Sequence, residues 1–480
     1  MAADRPLRIL AVSTTDRGGG AERIAAALVR AARAQGDEAW LAVGRKRGND
    51  PDVLAIPDRD PARNPWERLC WAAHDALASP APASPWLTRA RNTLRRAARP
   101  SSLRAWLSGL EDFDFPGSRR LLSLAGGRPD LIHAHNLHGW YFDLRALPEL
   151  AREVPVLLTL HDMWLLTGHC AHTFGCDRWE RGCGDCPDLG IYPSVPRDRT
   201  ADNWRRKRDL YAEGRFFLAT PCAWLLDRAR RSMLAPAIAG ARVIPHGVDL
   251  SVFRPSDRRE ARRALGLSEE GPLVLVMADG LARSMWKDAP TLRDAMARLA
   301  AAAARREPGG ARGPARAPRF LALGRDAAPE RIGDAMVHFS PYQPTAEGLA
   351  RHYQAVNLYL HAVRADTFPT TVLEALACGT PVVATAVGGI PEQIRGHAPE
   401  GGAREGELNP HGSDEGTGSL VPLGDGAALA AAADALLRDA RLLSRLAENA
   451  ARDARARFDA ARCARDYLDY YGEIAAKPDG

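Results

Sequence analysis

The sequence predicts an α/β protein of two doubly wound domains, each a parallel sheet covered by helices on both faces. Three observations predict it. Short apolar runs bounded by turn residues recur through most of the chain, as strands buried on both faces require. Helical stretches alternate with them. The chain has 480 residues, too many for one ordinary core and suited to two of roughly 200 residues each.

The chain opens on a strand pattern, Leu7-Arg8-Ile9-Leu10-Ala11-Val12, followed at once by Gly18-Gly19-Gly20. A helix starts at Ala21-Glu22-Arg23-Ile24, with Leu28 and Val29 on its apolar side, and a second strand runs from Ala39 to Val43. Residues from about 51 to 128 read as helices and loops broken by prolines. Strands resume at Leu131–His135, Val156–Leu160 and Phe216–Thr220. A second series starts near Arg242-Val243-Ile244-Pro245, with strands at Leu273–Met277, Arg319–Leu323, Leu358–His361 and Pro381–Thr385. Two segments, about 303–318 and 396–417, read as surface insertions, the second a mobile loop. From Asp425 the chain reads as helix almost to its end.

Composition narrows the class. Apolar content of 46% and charged content of 26% suit a folded globular chain. No run of about 18 apolar residues predicts a membrane-spanning helix. The first residues mix acid and base and pass straight into a strand, unlike a secretion signal, so a cytoplasmic setting is expected. A net charge of +6 is compatible with anionic ligands such as nucleotides. No nucleic-acid-binding signature accompanies it, and nucleic acid is not an expected partner.

The residues that could carry chemistry concentrate between Asp366 and Glu392. Asp366 lies in a loop just past a strand, and Glu374 is expected in the first turn of a short helix that Gly379 closes. Loops after parallel strands, feeding helix N-termini, are where open α/β sheets bind ligands, and the unpaired N–H groups there suit a diphosphate. Phe368, Thr370 and Thr371, between the two carboxylates, are candidate contacts to that ligand. Thr371-x-x-Glu374 also fits a capping box, in which Glu374 only satisfies backbone donors.

This stretch resembles the donor-binding signature of family 4 retaining glycosyltransferases (glycosyl transferases group 1): an acid, seven residues, a glutamate, then Ala-x-Ala-x-Gly-x-Pro-Val. Here it reads Asp366 to Glu374, then Ala375-Leu-Ala377-Cys-Gly379-Thr-Pro381-Val382, followed by Gly388-Gly389-Ile390-Pro391-Glu392. Val243–Pro255 is similar to the family's entry to its second domain, and Gly18-Gly19-Gly20-Ala21-Glu22 to its N-terminal glycine loop. The resemblance implies a GT-B fold, two Rossmann-like domains with parallel sheets facing a central cleft. It implies an N-terminal acceptor-binding domain over 1–240, a C-terminal nucleotide-sugar-binding domain over 241–455, and a last helix, 456–480, crossing back. It further implies retention of anomeric configuration, no catalytic metal, and a nucleotide-diphosphate sugar as donor substrate.

Site residues follow from the same resemblance. Arg283 and Lys287 would neutralise the leaving diphosphate, as a cation pair at a developing charge can. Asp366 and Glu374 would hold the donor's sugar and ribose. Gly18, Gly19 and Gly20 would let the backbone approach phosphate or acceptor. His161, ending the strand Val156–Leu160, would face the transferred sugar, and His133 and His135 would line the acceptor side. The chain departs from the family at Asp366 (commonly Glu), at Pro369, which removes a backbone donor, and at Cys222, where serine is expected. A glycan or lipid-linked acceptor in envelope or extracellular polysaccharide synthesis is the expected context. A catalytically weak nucleotide-sugar-binding subunit and a GT-B sugar-nucleotide epimerase are the alternatives.

Two further features stand apart. Cys170, Cys176, Cys183 and Cys186 crowd into one loop with His169 and His172 nearby. In a reducing compartment such a set reads as a structural zinc loop, as unliganded thiols, or as disulfides. From Trp86 to Leu110 there are six arginines, no acids, and Trp86, Leu87, Leu94, Leu103, Trp106 and Leu107. That composition fits peripheral contact with an anionic membrane, or an ordinary solvated helical face.

Overall fold

The structure is a computed structural model that describes residues 5–57, 65–77, 84–277, 284–305, 317–397, 410–411 and 414–476. It divides into two compact units: Met1–Thr220 with Leu225–Val243 and Tyr467–Gly480, and Pro221–Trp224 with Ile244–Asp466.

Among the described residues the first unit holds seven strands: β1 Arg8–Thr15, β2 Glu38–Arg45, β3 Val53–Ala55, β4 Leu131–Ala134, β5 Val156–Thr159, β6 Phe216–Thr220 and β7 Ile238–Val243. Their order is β3-β2-β1-β4-β5-β6-β7, and every pairing is parallel. All four residues of β4 and of β5 are buried, which is why these strands read as unbroken apolar runs. The order turns back between β1 and β4, the kind of switch point at which open sheets bind ligands. Register pairs Val12 with Ala134 and Ala134 with Leu158, so the carboxyl ends of β4 and β5 lie level and β1 runs a few residues beyond them. The residues that follow these strands therefore become neighbours.

The second unit holds β8 Leu273–Met277, β9 Arg319–Leu323, β10 Glu330–Ile332, β11 Ala335–Ser340, β12 Leu358–His361, β13 Val382–Thr385, β14 Gly396–His397, β15 Pro410–His411 and β16 Gly418–Val421. Their order is β10-β11-β9-β8-β12-β13-β16-β14-β15. Among these described strands only the β10–β11 pair is antiparallel. The helices Ala289–Ala304 and Gly426–Arg438 bury Leu292, Met296, Leu299, Leu429 and Leu436 against Val274, Phe320 and Leu360 of the sheet. Asp288 and Asp425 cap them, each side chain accepting a backbone N–H three residues on.

The sequence reading differs from the structure in three places. Arg242-Val243 closes the first sheet as the end of β7 and does not open the second series. The short strands β3, β10, β11 and β16 were not expected, because three to six residues leave too little periodicity to read. The expected mobile loop 396–417 falls mostly outside the described residues; its described ends form β14 and β15. Among the described residues no helix is long and apolar enough to cross a membrane.

Candidate functional site

In the second unit, the carboxyl ends of β8, β12 and β13 gather the residues expected to meet the donor. Lys287 is held by backbone pairing: it bridges Val363, while Arg364 donates its N–H to Trp286 O at 2.8 Å. The Thr385 hydroxyl ties in the same segment, bonding Val363 N and O at 3.0 and 2.9 Å. Lys287 is thereby fixed near Asp366. Burial lifts the Asp366 carboxyl above its ordinary range, and the Lys287 charge and the Phe368 and Thr367 backbone N–H groups only partly offset it. Arg283 lies outside the described residues.

Two glycines shape this loop. Gly388 has φ +57°, and a Cβ there would overlap the Asp366 carbonyl oxygen. At Gly389 a Cβ would lie 2.5 Å from Thr367 O. The Gly388-Gly389 pair thus lets the chain after β13 pass directly under the Asp366 loop.

The helix Thr370–Ala377 begins behind Asp366, and Gly379 (φ +71°) follows its end, as expected. Its N-cap is Pro369, with no side-chain cap, so Thr371 is not a capping residue. Glu374 is not in the first turn either. It sits a turn deeper, 2% exposed, and its Oε2 accepts the Tyr353 hydroxyl at 3.1 Å. The physical reason is helix phase: starting at Thr370 turns position 374 onto the buried face with Val372, Leu373 and Leu376. Thr370 is partly exposed at the helix start, and Thr371 Oγ1 lies 3.4 Å from the Tyr359 hydroxyl. The Phe368 ring packs edge-on against His246 and Phe458, so only its backbone serves Asp366.

In the first unit, Gly18 (φ +146°) and Gly19 lead into the helix Gly20–Gln35, whose start has no side-chain cap. His161 follows β5 and meets His135 across the sheet end, Nε2 to Nδ1 at 2.9 Å with the rings stacked. Burial, reinforced by the neighbouring His138 charge, lowers the His161 imidazole to about 4, so it is neutral near pH 7. His133 does not line a ligand surface. It is fully buried, and its two nitrogens bond Tyr471 OH at 2.6 Å and Thr159 Oγ1 at 2.7 Å. Its position inside β4 points it into the core, where it ties the sheet to the C-terminal helix Ala460–Ala475.

The four loop cysteines are all free thiols. Burial pushes Cys170 up to about 12 and Cys183 up to about 11, and the thiols raise one another further. His169 Nε2 lies 3.4 Å from Cys186 Sγ. Among the described residues, however, no group of three or more His, Cys, Asp or Glu side chains is arranged to hold a metal ion. The expected structural zinc is not supported by this geometry. A cation is already present beneath the loop: Lys207 is fully buried, with Nζ 2.8 Å from Glu111 Oε2, 3.0 Å from Trp164 O and 3.1 Å from Thr167 O. Its charge acts on Cys170 and Cys183.

Sequence reasoning passed over two residues that the fold brings together. His138 Nε2 lies 2.7 Å from Asp162 Oδ2. Both follow strand ends, of β4 and β5, and the only available signal was that each stands a few residues past a buried apolar run.

Two α/β units, each a largely parallel sheet covered by helices, define the GT-B class of fold. The comparisons agree. A sucrose-phosphate synthase from Thermosynechococcus elongatus superposes with a TM-score of 0.58 at 18% identity, covering 98% of this chain and 99% of that one. Anabaena Alr3699/HepE, solved in complex with UDP-glucose, gives 0.54 at 15% identity, with 97% and 100% covered. The family model for Glycosyltransferase Family 4 matches residues 18–252, and that for Glycosyl transferases group 1 matches residues 326–453. The chain belongs to the group 1 glycosyl transferases of family 4. WcaC of Escherichia coli (strain K12), named for a glycosyl transferase of colanic acid biosynthesis, is 26% identical over 282 residues. That match covers 54% of this chain and 60% of WcaC, less than two thirds of the relative's length.

Proposed function

We propose that the chain transfers a sugar, with retention of configuration, from a nucleotide-diphosphate donor to a glycan or lipid-linked acceptor. The observation that carries this reading is Lys287 fixed by backbone pairing beside Asp366 at the carboxyl end of the second sheet. The donor binds the second unit. Lys287, with Arg283, offsets charge on the departing diphosphate, a role for which preorganised cations are suited. Asp366 binds the sugar's hydroxyls, and the start of the helix Thr370–Ala377 faces phosphate. Glu374, bonded to Tyr353, braces that helix and meets the ribose. The acceptor binds the first unit, where neutral His161 offers hydrogen bonds to the transferred sugar and the Gly18–Gly20 loop allows close backbone approach. The departing phosphate itself takes the acceptor's proton, and no catalytic metal takes part. WcaC's name supports an extracellular polysaccharide as product, and HepE's UDP-glucose supports a nucleotide-sugar donor. Exposed Trp66, Leu69 and Trp86 near the arginine-rich helix Pro85–Ala98 support peripheral contact of a cytoplasmic protein with an anionic membrane.

A thermal-shift screen against nucleoside diphosphates and nucleotide sugars tests donor binding. One nucleotide should raise the unfolding midpoint, and slow donor hydrolysis should follow without acceptor. Lys287→Ala should lower turnover by about 10²–10³ with the fold intact; full turnover in that variant refutes the diphosphate role. A nucleotide-dependent shift without any hydrolysis or transfer would favour the second reading, a catalytically weak nucleotide-sugar-binding subunit, which the shortened Asp366 supports.

A further inference from the structure

The first unit contains a cavity of about 410 Å³ that the site described above does not use. That size suits a small ligand. It opens beside the carboxyl ends of β2, β4 and β5, where Arg45, His138 and Trp164 project into it. Its walls combine aromatic rings, among them Trp106, Trp140, Trp164 and Tyr192, with the polar side chains of Arg45, Glu111, Asp112 and His138.

The His138 ring is held from three directions. Asp162 Oδ2 sits 2.7 Å from Nε2, the Tyr192 hydroxyl 3.3 Å from Nδ1, and Trp164 packs edge-on at 5.7 Å. Asp162 is itself anchored by the Trp164 backbone N–H at 2.8 Å. A carboxylate only accepts, so Nε2 carries a proton toward Asp162, whose charge raises the His138 pKa, and Nδ1 is left on the Tyr192 side. The side chain of His138 is 12% exposed and Tyr192 is 46% exposed, so a ligand in the cavity reaches both.

We propose that this cavity is the pocket for the acceptor's terminal hexopyranose, whose hydroxyl hydrogen-bonds His138 Nδ1 while its ring lies against the tryptophan and tyrosine walls. This rests on the reading of the chain as a sugar transferase. The chemistry of the lining selects a saccharide over an alkyl chain. An alkyl occupant would strip water from Arg45, Glu111, Asp112 and His138 and return no hydrogen bonds, which costs several kcal/mol. A pyranose presents C–H faces to aromatic rings and hydroxyls to polar groups at once. Asp162 is a positioning residue: it orients the ring by holding Nε2 and does not touch the sugar.

Intrinsic tryptophan fluorescence of the full chain reads the pocket directly, since Trp106, Trp140 and Trp164 line it. The probes are methyl glycosides of glucose, galactose, mannose, rhamnose and N-acetylglucosamine, with 1-decanol as the apolar comparison. At least one glycoside should quench saturably. His138→Ala should weaken it at least tenfold, and His138→Asn, which keeps a polar atom near the Nδ1 position, should recover part of the loss. Asp162→Asn removes the charge that orients the ring and should weaken binding as much as His138→Ala, with no added loss in the double variant. Tyr192→Phe serves if His138→Ala fails to fold, and should weaken binding severalfold. Saturation by decanol alone, no response to any glycoside, or unchanged binding in the variants overturns the proposal. A nucleotide thermal shift in the same samples separates the failures: a retained shift leaves the donor reading standing, and its loss removes both.

Discussion

Lys207→Met is the sharpest test of how the first unit is built. The ammonium is fully buried, lies over the Trp164 ring at 3.9 Å, and makes an ion pair with Glu111 plus bonds to two backbone carbonyls. Burial lowers its pKa below the ordinary lysine value, and the Glu111 charge and hydrogen bond only partly offset this. Removing one member of such a pair leaves the other charge stranded, typically at about 3–5 kcal/mol. Two carbonyls lose their donor in the same step, which places the expected cost near the upper end. For a unit of this size each kcal/mol moves the midpoint by about 2–4 °C, so the first unit's unfolding transition should fall by about 10 °C or more. Differential scanning calorimetry would read it, with the second unit's transition as an internal reference. Lys207→Met combined with Glu111→Leu should recover more than half of the loss, because no charge is then stranded. A single variant within about 2 °C of the parent chain would show that the buried pair does not hold the loop above it.

Two other predictions concern the Asp366 loop and acid stability. Gly388→Ala forces a left-handed alanine, about 1–2 kcal/mol, and drives its Cβ into the Asp366 carbonyl. It should weaken nucleotide binding at least tenfold by isothermal calorimetry. Gly424→Ala has a similar φ of +78° and open space around it, and should leave binding unchanged; equal effects from the two would mean that strain alone is responsible. Burial, with the His161 charge behind it, depresses the His133 imidazole from 6.5 to about 3, so the fold keeps it neutral while the unfolded chain takes up a proton below 6.5. Stability should therefore be unaffected above pH 7 and fall by about 1.4 kcal/mol per pH unit per such histidine from near 6 towards 3. His161 adds a loss of the same sign down to about 4. Urea midpoints at pH 7.5, 6 and 5 should show a slope one proton shallower in His133→Gln, and an unchanged slope would rule this assignment out.

The sequence alone determined the fold class and the course of the Asp366–Gly389 passage, because both are written in local pattern. Parallel strands buried on both faces produce continuous apolar runs, and Asp366, Gly379 and the Gly388-Gly389 pair do their work within one strand-loop-helix-strand passage. The glycines are legible because no other residue meets their backbone demands. Tertiary structure decided what depends on phase and register. One extra turn of helix buries Glu374 against Tyr353, and β4 is oriented so that His133 faces Tyr471 in place of a ligand. His138 and Asp162 stand 24 residues apart and meet only because β4 pairs with β5 in one register. Lys207 and Glu111 are two ordinary charged residues in sequence, and only the fold removes water from between them. A side chain's chemistry is set by its neighbours' distance and dielectric, and those come from packing, which no local pattern encodes.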